Sequence, residues 1–301
     1  MVKRLLCILL AALMGIVCLA GCGKQEDTDY IPAAAGYGHT VALKKDGSAI
    51  AIGWDDAGQR SVEDWTDIVA LSAGVAHTVG LKADGTVVAA GSTEGDNPCG
   101  VGDWTDIAAI SAGYYHTVGL RSDGTVVACG DNYHGQSDVS QWTDMVKISA
   151  GYYHTVGLKA DGTVVAIGWN DHGQCDVAQY TDIVDISAGW KHTVLRTSDG
   201  SFISVGDNSY GQGDLAEWGS QVVEFTAAGY NTTGFTADGT LIHAGTDEYG
   251  QLATDNWKDL VFYAAGCTHT LGLTKDGMLL AAGDNLYGQC DISGWTDLMT
   301  E

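Results

Sequence analysis

Six histidines recur at one position of a repeating pattern, and histidine can ligate zinc or act as a general base near neutral pH. A zinc site needs its nitrogen ligands within about 2.1 Å of one ion, whereas one histidine per repeat spreads these side chains along the whole chain. We therefore interpret them as structural, each with a hydrogen bond to a nearby loop carbonyl. They are His39, His77, His116, His154, His192 and His269.

The sequence offers no other arrangement that indicates catalysis. It lacks a nucleophile beside a base, a glycine loop for phosphate and a distinctive pair of acids. Asp131, Asp207 and Asp284 each precede an asparagine, and we interpret them as turn-forming residues. We predict no catalytic residue, no bound metal and no cofactor, and therefore a protein that is not an enzyme.

The elements that carry the histidines repeat seven times. Residues 112–149 and 150–187 differ at only ten of 38 positions. The glycine of an Ala-Gly pair returns at intervals of 38, 39, 38, 38, 40 and 37 residues. Copy two replaces the Gly-Gln loop with a longer segment that holds Pro98, and copy six has Thr232 where a histidine is expected. A fixed period of this length is typical of a repeat architecture.

Each copy reads as short strands. The segment HTVGLKADGTVVAIG, residues 154–168, predicts a hairpin, because Thr and Val suit a pleated sheet and Asp-Gly suits a tight turn. IVDISAG alternates apolar residues with others, and QCDV is a short fourth candidate strand. Four strands in about 38 residues leave no room for the two helices of a helical repeat.

Seven copies of four strands predict an all-β, closed seven-bladed β-propeller. Residues 28–36, TDYIPAAAG, align with residues 66–74, TDIVALSAG, while the chain ends on WTDLMTE, where that strand should begin. We expect the N-terminal strand to complete the last blade, which would leave no sheet edge unpaired.

The first segment is typical of export. Residues 1–21 have a basic start, a short apolar run and small residues, which predict a signal peptide rather than a spanning helix. LAGC, ending at Cys22, resembles the bacterial lipobox, whose cysteine receives a diacylglyceryl group. The expected organisation is a signal peptide at 1–21, a tether at 22–29 and the propeller at 30–301. It places the protein outside the cytoplasm at the bacterial surface, held to the membrane through the lipid anchor only.

Charge and cysteine content restrict the partners. The chain has 38 acidic and 14 basic residues, a net charge of −24, so it lacks the basic surface that nucleic acid requires. Cys99, Cys175 and Cys290 occupy one repeat position in non-neighbouring copies, too far apart for a disulfide. We expect Cys99, Cys129, Cys175, Cys267 and Cys290 to be free thiols.

The repeating pattern AG-x-x-HT-x-x-L-x-x-DG-T, followed by GQ, resembles the regulator of chromosome condensation repeat over residues 30–301. The short period is similar to that of bacterial secreted members, including propeller-type β-lactamase inhibitory proteins. The resemblance implies a seven-bladed propeller. The guanine nucleotide exchange of the nuclear namesake is not expected in an acidic, exported lipoprotein.

Large aromatic residues vary between copies at two loop positions, where the repeat itself does not dictate them. In the inhibitory proteins that the chain resembles, these two loop sets share one face and bind the partner. We predict a monomer whose aromatic face binds an extracellular protein; the alternatives are an inhibitor of an extracytoplasmic, β-lactamase-like enzyme and a glycan-binding surface protein. The predicted face comprises Tyr37, Trp54, Tyr114, Tyr115, Tyr133, Tyr152, Tyr153, Trp169, Trp190, Tyr210, Tyr230, Tyr249 and Tyr287.

Overall fold

The computed structural model describes residues 31–93 and 96–299, and these residues form seven antiparallel sheets. Each sheet has three strands, and the described residues contain no helix. None of them forms a helix long and apolar enough to cross a membrane. The predicted all-β propeller of seven blades is confirmed. The predicted signal peptide, Cys22 and the tether lie outside the described residues.

The blades follow one another along the chain. The first holds β1 (Ala33–Ala35), β2 (His39–Leu43) and β3 (Ala49–Gly53); the second holds β4 (Ile68–Ala73), β5 (His77–Lys82) and β6 (Val87–Gly91). The third holds β7 (Ile107–Ala112), β8 (His116–Arg121) and β9 (Val126–Gly130); the fourth holds β10 (Met145–Ala150), β11 (His154–Lys159) and β12 (Val164–Gly168). The fifth holds β13 (Ile183–Ala188), β14 (His192–Thr197) and β15 (Phe202–Gly206); the sixth holds β16 (Val222–Ala228), β17 (Asn231–Thr236) and β18 (Leu241–Gly245). The seventh holds β19 (Leu260–Ala265), β20 (His269–Thr274) and β21 (Leu279–Gly283).

The first strand of every blade lines a central channel of about 510 Å³. Each of these inner strands contacts the inner strand of the next blade, and β19 contacts β1, so the ring is closed. Serines on the inner strands help to join the blades: Ser111 Oγ accepts the Ala150 N–H at 2.9 Å, and Ser149 Oγ accepts the Ala188 N–H at 2.9 Å. Backbone N–H groups at the channel edge of these inner strands thereby gain hydrogen-bond acceptors from the neighbouring blade.

The predicted Asp-Gly hairpins are present in the blades. In the fourth blade Gly162 takes a φ of 81°, which glycine adopts without strain. The Asp161 carboxylate accepts the Thr163 N–H at 3.0 Å and the Thr163 hydroxyl at 2.6 Å. The turn therefore folds around its own aspartate, and it lies at the end of the blade opposite the histidines.

The predicted fourth strand is wrong, because the segment after the Gly-Gln loop forms successive turns in the described blades. In the fourth blade this segment buries Trp142 against Gly157 of β11. A Cβ at Gly157 would lie 2.6 Å from the Trp142 ring, so the tryptophan takes the space that a longer side chain would need. A turn segment anchored by a buried tryptophan thus takes the place of the expected outer strand.

The predicted closure is also wrong in its direction. β1 pairs with β2 in the first blade, and the last blade consists of β19, β20 and β21. The C-terminal segment instead returns to the first blade: Leu298 bridges Lys44, and Met299 N–H donates to the Leu43 carbonyl at 3.0 Å. The reason is that each inner strand pairs with the strand that follows it along the chain.

The fifth blade suggests a direct test of the tryptophan packing, because it has Leu195 at the glycine position and Tyr180 at the tryptophan position. We expect Gly157→Leu alone to destabilise the protein by about 1–3 kcal/mol through overpacking. Adding Trp142→Tyr should recover part of that loss, with a coupling of about 1 kcal/mol in urea unfolding. Strictly additive effects of the two changes would contradict this packing relation.

Candidate functional site

The repeated histidines are buried between blades, and each reaches a threonine of the next blade. His116 Nε2 lies 2.9 Å from the Thr155 hydroxyl, and Thr155 Oγ1–H donates to the Gln136 carbonyl at 2.7 Å. Because the single hydroxyl proton goes to the carbonyl, the histidine is the donor to threonine. The same histidine and threonine pairs are His39 with Thr78, His77 with Thr117, His154 with Thr193, His192 with Thr232 and His269 with Thr40.

This interblade relay corrects the expected partner of the histidines. The loop carbonyl is reached through threonine rather than directly. In copy two the Pro98 carbonyl takes the place of the glutamine carbonyl and accepts from Thr117 at 2.7 Å. The histidines thus bond between blades, in a geometry different from the expected one, and the relay also joins the seventh blade to the first through His269 and Thr40.

Burial keeps the relay histidines neutral. Desolvation lowers the pKa of His154 from 6.5 to about 3, and the nearby His192 and His116 lower it further. The pKa of His116 falls to about 4 for the same principal reason. The His154 ring also lies on Gly151, where a Cβ would come within 2.5 Å of the ring. A buried, neutral, fully packed imidazole is a poor general base for an external substrate.

The relay is interrupted at one boundary, between the sixth and seventh blades. Asn231, not Thr232, occupies the histidine position, because Asn231 pairs with Gly245 as His154 pairs with Gly168. Thr232 stands in the threonine position and bonds His192. Both side-chain polar atoms of Asn231 and the Thr270 hydroxyl are buried without a hydrogen-bond partner among the described residues. The shorter asparagine does not reach across the boundary.

The other candidate groups have structural roles. The carboxylates of Asp131, Asp207 and Asp284 each accept the backbone N–H two residues further on, as expected of turn residues. Within the described residues, no three His, Cys, Asp or Glu side chains lie close enough together to hold a metal ion. The predicted free thiols are confirmed at Cys99, Cys129, Cys175, Cys267 and Cys290.

We call the end of the propeller that carries the Ala-Gly and Gly-Gln loops the upper face. The predicted aromatic residues all lie in these loops, and the structure separates most of them into two groups. Trp54 and Tyr287 have ring centroids 6.0 Å apart in the smaller group. In the larger group, the ring centroids of Tyr114 and Tyr152 lie 3.8 Å apart, and those of Tyr152 and Trp190 lie 5.1 Å apart. The second blade contributes no predicted aromatic residue, so the face is uneven around the ring.

The larger group extends across four blades. Its other ring contacts include Tyr114 with Tyr115, Tyr152 with Tyr153, Tyr153 with Trp169, Trp190 with Tyr230, and Tyr210 with Tyr230. Trp190 is held further by a hydrogen bond from its Nε1–H to the Cys267 sulfur at 3.1 Å. Partial burial raises the pKa of Tyr152 and Tyr114, so both phenols remain neutral.

The larger group surrounds a pocket of about 390 Å³. The lining residues come from the loops of the third to sixth blades: His134, Tyr152, Tyr153, Trp169, Trp190, Lys191 and Tyr230. His134 and Lys191 were not among the predicted face residues. His134 precedes the Gly-Gln pair and Lys191 follows Trp190. Both lie in the same variable loops as the predicted aromatic residues, so a search of those loops for all variable side chains would have identified them.

The comparisons with known proteins agree with this architecture. The model of the regulator of chromosome condensation (RCC1) repeat matches residues 107–136, 145–174, 183–212 and 264–289. A search of the curated proteins finds no match. The protein is therefore a seven-bladed β-propeller, and four segments of its chain match the RCC1 repeat model. Its matched copies include three consecutive blades that contribute to the aromatic pocket.

Solved structures share the fold at low identity. The ectodomain of the Physcomitrella patens receptor kinase CR4 has a TM-score of 0.67 at 20% identity, covering 84% of this chain and 73% of that one. The CRINKLY WD40 ectodomain of the Arabidopsis thaliana receptor kinase ACR4 has a TM-score of 0.67 at 18% identity, covering 85% and 96%. Prp20p of Saccharomyces cerevisiae, described with its binding to Gsp1p and histones, has a TM-score of 0.52 at 18% identity, covering 89% and 75%.

The interrupted boundary provides a matched control for the relay. Thr155→Val should destabilise the protein by about 2–4 kcal/mol, because it leaves the His116 N–H and the Gln136 carbonyl buried without partners. Thr270→Val should not destabilise the protein, because its buried hydroxyl has no partner to lose. Urea unfolding measures both. Equal losses in the two variants would show that the relay bond does not stabilise the ring.

The neutral histidines also predict a pH dependence. Their folded pKa values of about 3 or 4 lie below the ordinary 6.5, so the unfolded chain binds more protons between these values. The stability present above pH 6.5 is therefore lost as the pH falls towards 4, by up to about 1.4 kcal/mol per pH unit for each histidine. His154→Asn should reduce the slope of unfolding free energy against pH by about one proton. An unchanged slope would contradict the neutral assignment.

Proposed function

We propose that this protein is a non-enzymatic binding protein that captures another protein through its upper face. The observation that carries the proposal is the concentration of aromatic rings on one sector of that face, around a pocket, at positions the repeat does not require. Tyrosine and tryptophan are enriched among residues that dominate protein interfaces, because they offer large contact areas with a polar group at one end. The receptor ectodomains with the same fold are consistent with a binding role.

The relay supports the division of labour in this proposal. Its histidines and threonines are buried within the ring, whereas Tyr133, Tyr210 and Tyr115 of the upper face are 87%, 54% and 40% exposed. Side chains that hold the ring together are thus separate from those that offer contact area. Side chains of the upper loops can therefore differ between blades without breaking the interblade bonds.

The setting of this binding role is proposed from the sequence of the first segment. Residues 1–22 suggest export and lipidation at Cys22, so the partner would be an extracellular protein met at the bacterial surface. The excess of acidic residues favours a basic partner surface. Inhibition of an extracytoplasmic enzyme is one form that such binding can take.

Capture experiments test the binding face. Tyr153→Ala combined with Trp169→Ala should reduce capture of extracellular proteins from the source organism and its neighbours at least about tenfold, since hot-spot truncations cost 2 kcal/mol or more. Met278→Ala is the matched control, because Met278 is 53% exposed in an Asp-Gly turn on the opposite face. Mass spectrometry identifies the captured protein, and thermal unfolding should be nearly unchanged in both variants.

Undiminished capture by the double variant would place the binding face elsewhere. Capture of polysaccharide in place of protein would assign the face to glycans instead, because aromatic platforms also stack on sugar rings.

The lipid anchor has its own test. We expect the full chain expressed in a bacterial host to partition with membranes, and Cys22→Ala to release it from them, because two acyl chains are needed for stable anchoring. Membrane fractionation with detection of the chain measures this. A Cys22→Ala variant that remains in the membrane fraction would overturn lipidation as the mode of attachment.

A further inference from the structure

A lysine lies among the aromatic rings of the upper pocket. The Lys191 ammonium is 5.7 Å from the centre of the Trp169 ring and 5.8 Å from the centre of the Tyr230 ring. Tyr115 and Tyr153 occupy the equivalent place in the third and fourth blades. The fifth blade therefore replaces a tyrosine with a cation at the wall of the pocket.

The position of this charge is unusual for the molecule. Among the described residues, the repeated lysines and arginines lie mostly next to the Asp-Gly turns on the opposite face, at Lys44, Lys82, Arg121, Lys159 and Lys275. In the Gly-Gln loops, Arg60 donates to the Gly53 carbonyl at 2.9 Å. Lys191 contacts aromatic faces, whereas Lys147 on the inner strand β10 forms an ion pair with Asp185.

The surroundings of Lys191 are acidic at longer range. Exposed carboxylates of the Gly-Gln loops edge the upper face, among them Asp138, Asp171, Asp176 and Asp214. Asp138, Asp176 and Asp214 each accept a hydrogen bond from an asparagine side chain of the same loop, which fixes them at the rim. The upper face thus has one central cation, a ring of aromatic walls and an anionic edge.

We propose that this pocket takes a carboxylate-bearing side chain of the partner protein, together with an aromatic neighbour of that side chain. The inference deepens the proposed protein-binding function and rests on it. The ammonium pairs with the carboxylate, the aromatic walls bury the neighbouring ring, and the acidic edge meets basic residues around them. Charge complementarity of this kind fixes the register of an interface and disfavours wrong partners.

The same charges argue against an acidic polysaccharide as the occupant. Such a polymer would bring many carboxylates past the anionic edge of a chain with a net charge of −24. A basic protein surface that displays one acidic residue satisfies both the central cation and the edge. A volume of about 390 Å³ also holds two adjacent side chains rather than a long polymer segment.

Small probes test the pocket independently of any captured protein. N-acetyl-glutamyl-tyrosine amide is titrated into the ¹⁵N-labelled full chain while the indole N–H signals of Trp169 and Trp190 are followed by NMR. N-acetyl-glutaminyl-tyrosine amide is the uncharged comparison. We expect the glutamyl probe to bind about tenfold more tightly than the glutaminyl one, as for a hydrogen bond to a charged group. Lys191→Met should remove this preference.

The control and the contrary outcomes keep the inference separate from the binding role. Lys258→Met, at an exposed lysine on the opposite side, should keep the full preference for the glutamyl probe. Equal binding of the two probes, no shift with either, or a preference that survives Lys191→Met would overturn the carboxylate assignment. Shifts caused by galacturonic acid but by neither dipeptide would assign the pocket to an acidic sugar. Loss of capture by the aromatic variants would still stand in each of these cases.

Discussion

The hydrogen-bonded relay from histidine to threonine to a loop carbonyl is the interaction on which the rest of the structure depends. A three-stranded blade cannot bury both of its faces alone, so its stability comes from its neighbours. The relay fixes how two neighbouring blades pack. The buried imidazole of one blade donates to a threonine of the following blade, and that threonine donates to a carbonyl in the loop between them. Repeating this bond in six of the boundaries, including the one between the last and first blades, closes the ring.

The departures from the repeat are concentrated near the candidate binding face. At the boundary between the sixth and seventh blades, Asn231 and Thr270 occupy the relay positions but form no side-chain hydrogen bond to each other. The shortened loop before Asn231 also places Gly229 at a φ of 54°. Across this shortened loop, Trp190 of the fifth blade reaches Cys267 of the seventh. One weakened boundary thus accompanies the fixed orientation of a tryptophan that lines the pocket.

Much of the fold was predictable from the sequence, because the features that determine it are local and repeated. The Asp-Gly turns and the Thr-Val strands predict hairpins, and the number of repeats predicts the number of blades. The fourth strand and the direction of closure were not predictable, since both depend on which neighbour a strand pairs with. The aromatic loops could be named from their variation, whereas the place of Lys191 between Trp169 and Tyr230 could not. That proximity arises only when the loops of separate blades converge around the ring.

Hydrogen–deuterium exchange of the full chain with and without its captured partner tests the central claim most directly, namely that a repeated interior leaves one sector of the upper face to bind. We predict slower exchange on binding in residues 113–115, 151–153, 169–172 and 189–191, with no change in the Asp-Gly turns or in the upper loops of the second blade. Protection confined to the opposite face, or spread equally over all seven blades, would contradict this account.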